Sequence, residues 1–406
     1  MMLEKILLIG LLVLGGCQSS ISSGQLTNVP LPEEEKYDPE KGKEPVGLTA
    51  QQLAAYEHFV QKTSEALLNE QDGAENFVYS PMSFYLALAM LEPITFDDSL
   101  AELYQGLGHD NLHQVSEAFI KSITFNNEVG KGLIANSLWF EKEFDFNKDL
   151  LLEIANNYQA ESFEVDFMDK VKVQNMMNNW VNKKTFNFIK DVDIQLNDGV
   201  ALALINTLYF KDAWRESFSD SMTKQDYFEQ ADGQRVLVDF MNQFSSNDEY
   251  AENDAYQAVK KNLRNGGSMT FVLPKIKDET VSWDPSLEFE PTSIKLALPK
   301  FDLSATHDLI DPAKALGIEL VFDPMTSAIY PFMDDGSVFI SAISQQVRMA
   351  IDEQGVEAAA YTIIEMTPTS AHPTEPVEIV FDRPFMVQLE DVNGLVLFVG
   401  WVNVIE

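Results

Sequence analysis

Cysteine occurs once in the 406 residues, at Cys17, so no disulfide can close within the chain and no thiolate zinc site can be assembled. Positive charge is also scarce: 28 Lys and Arg stand against 64 Asp and Glu, a formal net charge of −36. Such a chain offers no basic face for a phosphate backbone, which argues against nucleic acid as a partner and against docking on an anionic membrane by charge. The balance reads as an acidic, soluble surface. There are five histidines, His58, His109, His113, His307 and His372, and none forms H-E-x-x-H. His109 and His113 are four apart, which could put both on one helical face, but Gly106 and Gly108 read that segment as a turn carrying solvated histidines. No G-x-S-x-G nucleophile elbow and no G-x-x-x-x-G-K-[ST] phosphate loop occur, and Gly130-Lys131-Gly132 lacks a third glycine. Enzyme chemistry has little to stand on, and no metal or cofactor is expected.

No long apolar run is present either. Lys5 precedes an apolar stretch from Ile6 to Leu14 that is too short to cross a bilayer and reads as the core of a signal peptide over residues 1–16. Leu14-Gly15-Gly16-Cys17 resembles the bacterial lipoprotein processing box, in which the cysteine sulfur is lipidated and becomes the new N-terminus. The alternative is an ordinary signal peptide with an incidental cysteine. Glu4 and Lys5 leave together, so processing does not change the net charge. The box implies a lipid on Cys17 and a place on the cell envelope, outside the cytoplasm, at the outer membrane or cell surface. Residues 17–48 are rich in Ser, Pro and Glu, with Pro30, Pro32, Pro39, Pro45 and Glu33-Glu34-Glu35, and read as a solvated, flexible tether.

From residue 49 the pattern becomes globular, and 45% hydrophobic content is ample for a core. Thr49 is a plausible N-cap for a helix with Leu53, Tyr56, Phe59, Val60, Thr63 and Leu67 on one face. Asn76 to Ser83, N-F-V-Y-S-P-M-S, reads as a short strand running into a helix capped by Ser80, with Pro81 in its first turn. Leu133–Phe140 and Leu204–Phe210 read as buried strands, the second leading to Trp214. Val338 to Ile351 alternates and reads as one long strand continuing into the segment that follows. Val392-Asn393-Gly394 joins two apolar strands in the tail with a hairpin signal.

That following segment, Glu353–Ser370, is E-Q-G-V-E-A-A-A-Y-T-I-I-E-M-T-P-T-S. At period two, one face carries Val356, Ala358, Ala360, Thr362, Ile364 and Met366 and no charge. The other carries Glu357, Ala359, Tyr361, Ile363, Glu365 and Thr367. This is a half-buried strand, yet it ends in T-P-T-S-A-H-P-T-E-P, which is loop composition. Buried-strand side chains between exposed-loop flanks describe a segment with two homes. Gly355-Val356-Glu357-Ala358-Ala359-Ala360-Tyr361-Thr362 resembles the hinge of the serpins, the serine-protease-inhibitor family, and the resemblance extends over residues 49–406.

The resemblance implies an α+β serpin fold with three β-sheets, about nine helices and an exposed reactive-centre loop over about residues 353–376, in a monomer. It implies inhibition of serine endopeptidases, with cysteine endopeptidases as a further class, through a covalent complex in which the cut loop enters the central sheet. A non-inhibitory binding or substrate module is the alternative. Small hinge residues ease entry, and a charge at Val356 or Ala358 would stall it. Glu357 faces outward in this register, and Gly355 is expected to relax the backbone where the strand starts. Counting along the loop as in typical inhibitory members puts the attacked bond at Thr369-Ser370, with Met366-Thr367 as the alternative. Gly355 to Thr369 is 15 residues, about 50 Å as a strand at about 3.3 Å each. Thr before the bond suits elastase- or subtilisin-like enzymes, and the lack of Arg or Lys from Glu353 to Thr369 argues against trypsin-like ones. Ser80, Ser83, Asn206 and Gln345 match the family's shutter, with Gln345 standing where a histidine is usual, so pH sensitivity there is expected to be lost. Trp214, Lys300 and Glu353 match the breach at the insertion point. The other reading of these residues is ordinary packing, or for the ion pair a solvated contact worth under about 1 kcal/mol.

Overall fold

The first helix, α1 (Ala50–Asn69), opens on a reciprocal cap: Gln52 N–H donates to Thr49 Oγ1 at 3.2 Å and Thr49 N–H to Gln52 Oε1 at 2.8 Å. Its inner face, Tyr56, Phe59, Thr63 and Leu67, is buried. The computed structural model describes residues 24–37, 47–69, 73–142, 147–190, 202–276, 288–330, 338–356 and 375–405. Strand β1 (Phe77–Tyr79) leads into α2 (Pro81–Ala89), capped by Ser80, whose Oγ accepts from Ser83 N–H at 3.4 Å. Every residue of α2 is buried, the signature of a helix packed on all sides. Around it lie α3 (Asp97–Leu107), α4 (Leu112–Ile123), α5 (Lys148–Tyr158), α6 (Lys170–Lys184) and α7 (Ile310–Ala315), making seven α-helices among the described residues, with three short 3₁₀ turns besides. His109 falls in the link after α3 and His113 within α4, so the two do not share a helical face.

A seven-stranded sheet runs β11 (Phe301–Asp308), β12 (Ile340–Ile351), β13 (Gly355–Val356), β5 (Leu202–Ala213), β3 (Gly130–Glu141), β2 (Phe125–Asn127), with β4 (Ala160–Val165) also on β3. One face packs on α2 and the main core, and the other packs on α6 in a second cluster that includes Trp139, Phe163, Val173, Met177, Ile205 and Ala342. The remaining strands form a nine-stranded sheet: β1, β16 (Val396–Val402), β15 (Phe385–Glu390), β9 (Ser268–Pro274), β8 (Tyr256–Asn262), β7 (Arg235–Glu252), β10 (Glu290–Pro299), β14 (Val377–Val380), with β6 (Lys224–Glu229) on β7. The expected three sheets therefore appear as two hydrogen-bonded sheets among the described residues. The reason is β7: its 18 residues pair with β6 and β10 along most of their length and with β8 at the far end, so one strand joins two limbs.

Residues 17–48 do not behave as a tether throughout. Leu26 N–H donates to Ser162 O at 2.8 Å, Val29 N–H to the Glu161 carboxylate at 2.9 Å, and Glu35 N–H to Asn126 O at 2.7 Å, so residues 24–37 lie along the outer edge of the seven-stranded sheet. The sequence could not show this, because a polar, proline-rich strip that pairs with an edge has the composition of one that pairs with nothing.

Candidate functional site

The long strand expected to run straight through residue 351 does not. β12 ends at Ile351, and the Asp352 carboxylate accepts Gln354 N–H at 2.8 Å and Gly355 N–H at 3.3 Å, turning the chain back. β13 then lies antiparallel between β12 and β5, with Val356 opposite both Ile351 and Asp212 and Gly355 opposite Ala213. Below it, β12 and β5 pair directly, in parallel, only from Ile340↔Leu202 to Gln346↔Thr207. Between these two regions, over Val347–Ala350 and Leu208–Lys211, β12 and β5 do not pair with each other. The central sheet is thus parted at one end, and the hinge holds the parting open.

Gly355 serves a purpose other than the one expected. Its φ is not positive. A Cβ here would sit 2.1 Å from Asp212 O and 2.8 Å from Ala213 Cα, so glycine allows the hinge backbone to approach β5. Val356 is 3% exposed, already in the position where a charge would be unpaired. Glu357, Ala358, Ala359, Ala360, Thr362, both expected bait bonds (Thr369-Ser370 and Met366-Thr367) and Cys17 lie outside the described residues.

The turn at residues 352–354 is gripped by the breach residues. Trp214, fully buried, donates its backbone N–H to Gln354 O and its indole N–H to Asp352 O, both at 2.9 Å. Phe218 N–H donates to Glu353 O at 2.9 Å. Lys300 Nζ lies 3.0 Å from Glu353 Oε1, which also accepts from Thr223 Oγ1 at 2.7 Å. Burial opposes the Glu353 charge, yet the Thr223 hydroxyl, its own backbone N–H and Lys300 hold its carboxyl below the usual range. Burial likewise opposes the Lys300 charge, but the bond to Glu353, with Glu353, Asp239 and Asp352 nearby, raises its ammonium above its ordinary value. Burial pushes the Asp352 carboxyl up. Asp212, beside Val356, is fully enclosed; burial pushes its carboxyl up to about 7, against hydrogen bonds from Asn265 N–H at 2.9 Å and Nδ2 at 2.8 Å.

The shutter residues come together in part. Gln345 clasps Ser80, accepting its backbone N–H at 3.0 Å and donating to its carbonyl at 2.8 Å, while Ser80 Oγ donates to Leu397 O at 2.7 Å. Asn206 sits opposite Gln345 in register and donates to Asn136 Oδ1, and Asn136 donates to Tyr158 O at 2.8 Å. Ser83 Oγ is buried nearby and joins no hydrogen bond among the described residues. Sequence reading missed two members of this row. Asn136 was visible as a lone amide in an apolar strand. His307 stands opposite Gln345 on β11 and bonds Val78 O at 2.7 Å. A histidine therefore lies one strand away from the expected place, and burial lowers its pKa, so the ring stays neutral.

Glu92 was also missed. In the stretch Leu91–Thr95, its carboxylate accepts His113 N–H at 2.9 Å, Leu112 N–H at 3.2 Å and Tyr158 O–H at 2.6 Å, tying α4 to α5. Among the described residues, no group of three or more His, Cys, Asp or Glu is arranged to hold a metal, and no helix is long and apolar enough to cross a membrane.

Known proteins share this architecture. A family model described as serpin (serine protease inhibitor) matches residues 54–405. Serpin-Z1C of Triticum aestivum is 30% identical over 368 residues, covering 82% of this chain and 91% of that one. The structure of Serpin48, a highly specific serpin of the insect Tenebrio molitor, superposes with a TM-score of 0.78 at 26% identity, over 89% of this chain and all of that one. Human thyroxine-binding globulin shares the fold at the same TM-score, 0.78, with 23% identity over 87% of this chain and 98% of that one. The chain belongs to the serpin family, whose members are generally protease inhibitors and not enzymes.

Proposed function

We propose that this chain is a suicide-substrate inhibitor of serine endopeptidases, with cysteine endopeptidases as a further class. The observation that carries the reading is the parted seam: β13 is seated between β12 and β5, and among the described residues the direct β12–β5 pairing ends at Gln346↔Thr207. Of the residues next in line, Ala358 to Thr362 are small or β-favouring, and the sheet-facing set, Ala358, Ala360 and Thr362, carries no charge. A protease serine attacks the Thr369 carbonyl, the amine of Ser370 leaves, and the protease remains esterified to Thr369. The freed hinge continues downward from Val356, converting exposed loop into a central strand with hydrogen bonds on both sides. The tethered protease is carried with it and distorted. Loss of a single oxyanion-hole donor slows ester hydrolysis by about 10²–10³, so the ester persists.

The targets that fit Thr at the bait position are elastase- or subtilisin-like. Incubation with pancreatic elastase and with subtilisin tests the reading. An inhibitor yields a covalent complex stable in SDS, with the bait bond given by sequencing the released C-terminal fragment. A chain that is clipped at the loop, forms no complex and gains no thermal stability is a non-inhibitory serpin. Leu14-Gly15-Gly16-Cys17 supports a lipid on Cys17 and a place on the cell envelope; palmitate labelling that survives Cys17→Ala would refute that part.

A further inference from the structure

The turn that ends α6 straddles the parted strands. In Thr185-Phe186-Asn187-Phe188, Phe186 and Asn187 both take left-handed backbone conformations, φ 52° and 65°, without a glycine. On the β5 side, Phe186 and Phe188 pack against Tyr209, with ring centroids 5.0 and 5.9 Å away. On the β12 side, Arg348 donates to Phe188 O at 2.6 Å, lies over the Phe188 ring at 4.4 Å, and pairs with Asp302 of β11, its Nε donating at 2.8 Å. Tyr209 and Arg348 each stand two residues beyond the last direct pair, Thr207 and Gln346.

The other end of this crossing is held by residues 24–37. Lys184, in the last turn of α6, is buried against Glu161 of β4, 3.3 Å away, and donates to Val29 O at 2.9 Å. The Glu161 carboxylate also receives Trp180 Nε1 at 2.6 Å and Val29 N–H at 2.9 Å. Thr27 Oγ1 accepts Ser162 N–H at 2.8 Å. Gly24, at φ 98°, lies so close to β4 that a Cβ would sit 2.4 Å from Glu164 O. This grip precedes the stretch matched by the family model, which begins at residue 54.

We infer that residues 24–37, the end of α6 and Arg348 form one belt across the front of the seven-stranded sheet that restrains β12 from parting further from β5. A strand seated between them at the level of Tyr209 and Arg348 requires two strand spacings, about 9.6 Å. Phe188 cannot keep both contacts across that span while Lys184 is held at the sheet's outer edge. The belt acts in series, so release at either end frees the seam. Its purpose rests on the loop-insertion reading above, but its mechanics can be measured without a protease.

The test is amide hydrogen exchange on the intact chain, at the direct pairs next to the parting, Leu204–Thr207 of β5 and Ile343–Gln346 of β12. Gly24→Ala loosens the edge grip, Thr27→Val is the milder version that removes only the acceptor for Ser162, and Arg348→Gln opens the far latch. Each loss of a buried or charge-assisted hydrogen bond should speed exchange at the seam about tenfold. Joining Arg348→Gln to either strap variant should add nothing more, because a belt cut once is already slack. Seam protection unchanged in both strap variants, or rate increases that multiply in the double variant, overturns the belt. Faster exchange in a chain that never traps elastase or subtilisin keeps the belt and removes the inhibitory reading.

Discussion

Val356 is the position at which the inhibitory reading is most exposed to test. It is 3% exposed between Ile351 and Asp212, and its neighbour Asp212 is itself a buried carboxyl pushed up to about 7. Val356→Glu would remove about 2 kcal/mol of apolar burial and set a second carboxylate against the first, at a cost of several kcal/mol if it stayed. It need not stay. β13 is two residues long and can leave the seam, so the native chain should lose no more than about 2 kcal/mol, the burial of one valine. Insertion after cleavage has no such escape, because residue 356 must enter first. A barrier raised by about 3 kcal/mol slows entry by about 10²-fold, and hydrolysis of the acyl-enzyme then wins. With subtilisin or elastase at equal concentration, V356E should give cleaved chain in place of SDS-stable complex, while Val356→Ala should still trap. If V356E trapped as completely as the wild type, entry at the hinge would not govern inhibition and the reasoning would fail.

Three further outcomes follow from the same geometry. Gly355→Ala puts a methyl 2.1 Å from Asp212 O, so it should expel β13, and the Trp214 amide, bonded to Gln354 O, should lose hydrogen-exchange protection. Asp212 has a folded value near 7, above its ordinary 3.8, so the native state binds the extra proton between those values and stability falls as pH rises through that window. The full penalty at pH 8 is about 4 kcal/mol at most, and urea unfolding of Asp212→Asn should show a flatter pH dependence than the wild type between pH about 5 and 8; equal slopes would remove Asp212 as the cause. Gln345→Ala leaves the Ser80 N–H without its acceptor, while Ser80 O keeps Phe84 N–H at 3.2 Å, and should destabilise by about 1–3 kcal/mol, the cost of one buried group left unpaired; a Tm unchanged from wild type would show that the clasp contributes nothing.

Much of the fold was legible in local pattern. Thr49 and Ser80 cap the helices they were expected to cap, and the Asn393-Gly394 turn closes its hairpin with Gly394 at φ 77°. These features depend on residues a few positions apart, and propensity and capping act over that range. Of the hinge, Gly355 and Val356 form strand, and the residues that carry most of its alternation lie outside the described ones.

The sequence alone therefore determined a hinge-like segment with one face free of charge, a lone cysteine near the N-terminus, the lack of the common catalytic motifs, and a set of capped helices and alternating strands. Tertiary structure alone decided where those pieces sit. It turned the chain at Asp352 and seated Val356 in the seam, because Gly355 can touch Asp212 O only when β5 is already there. It fused two limbs through β7, laid residues 24–37 along an open sheet edge, and brought His307 and Asn136 into the row of Gln345 and Asn206. Each of these is a pairing between residues far apart in the chain, and strand register is set by which side chains meet across the gap, a fact no single strand carries.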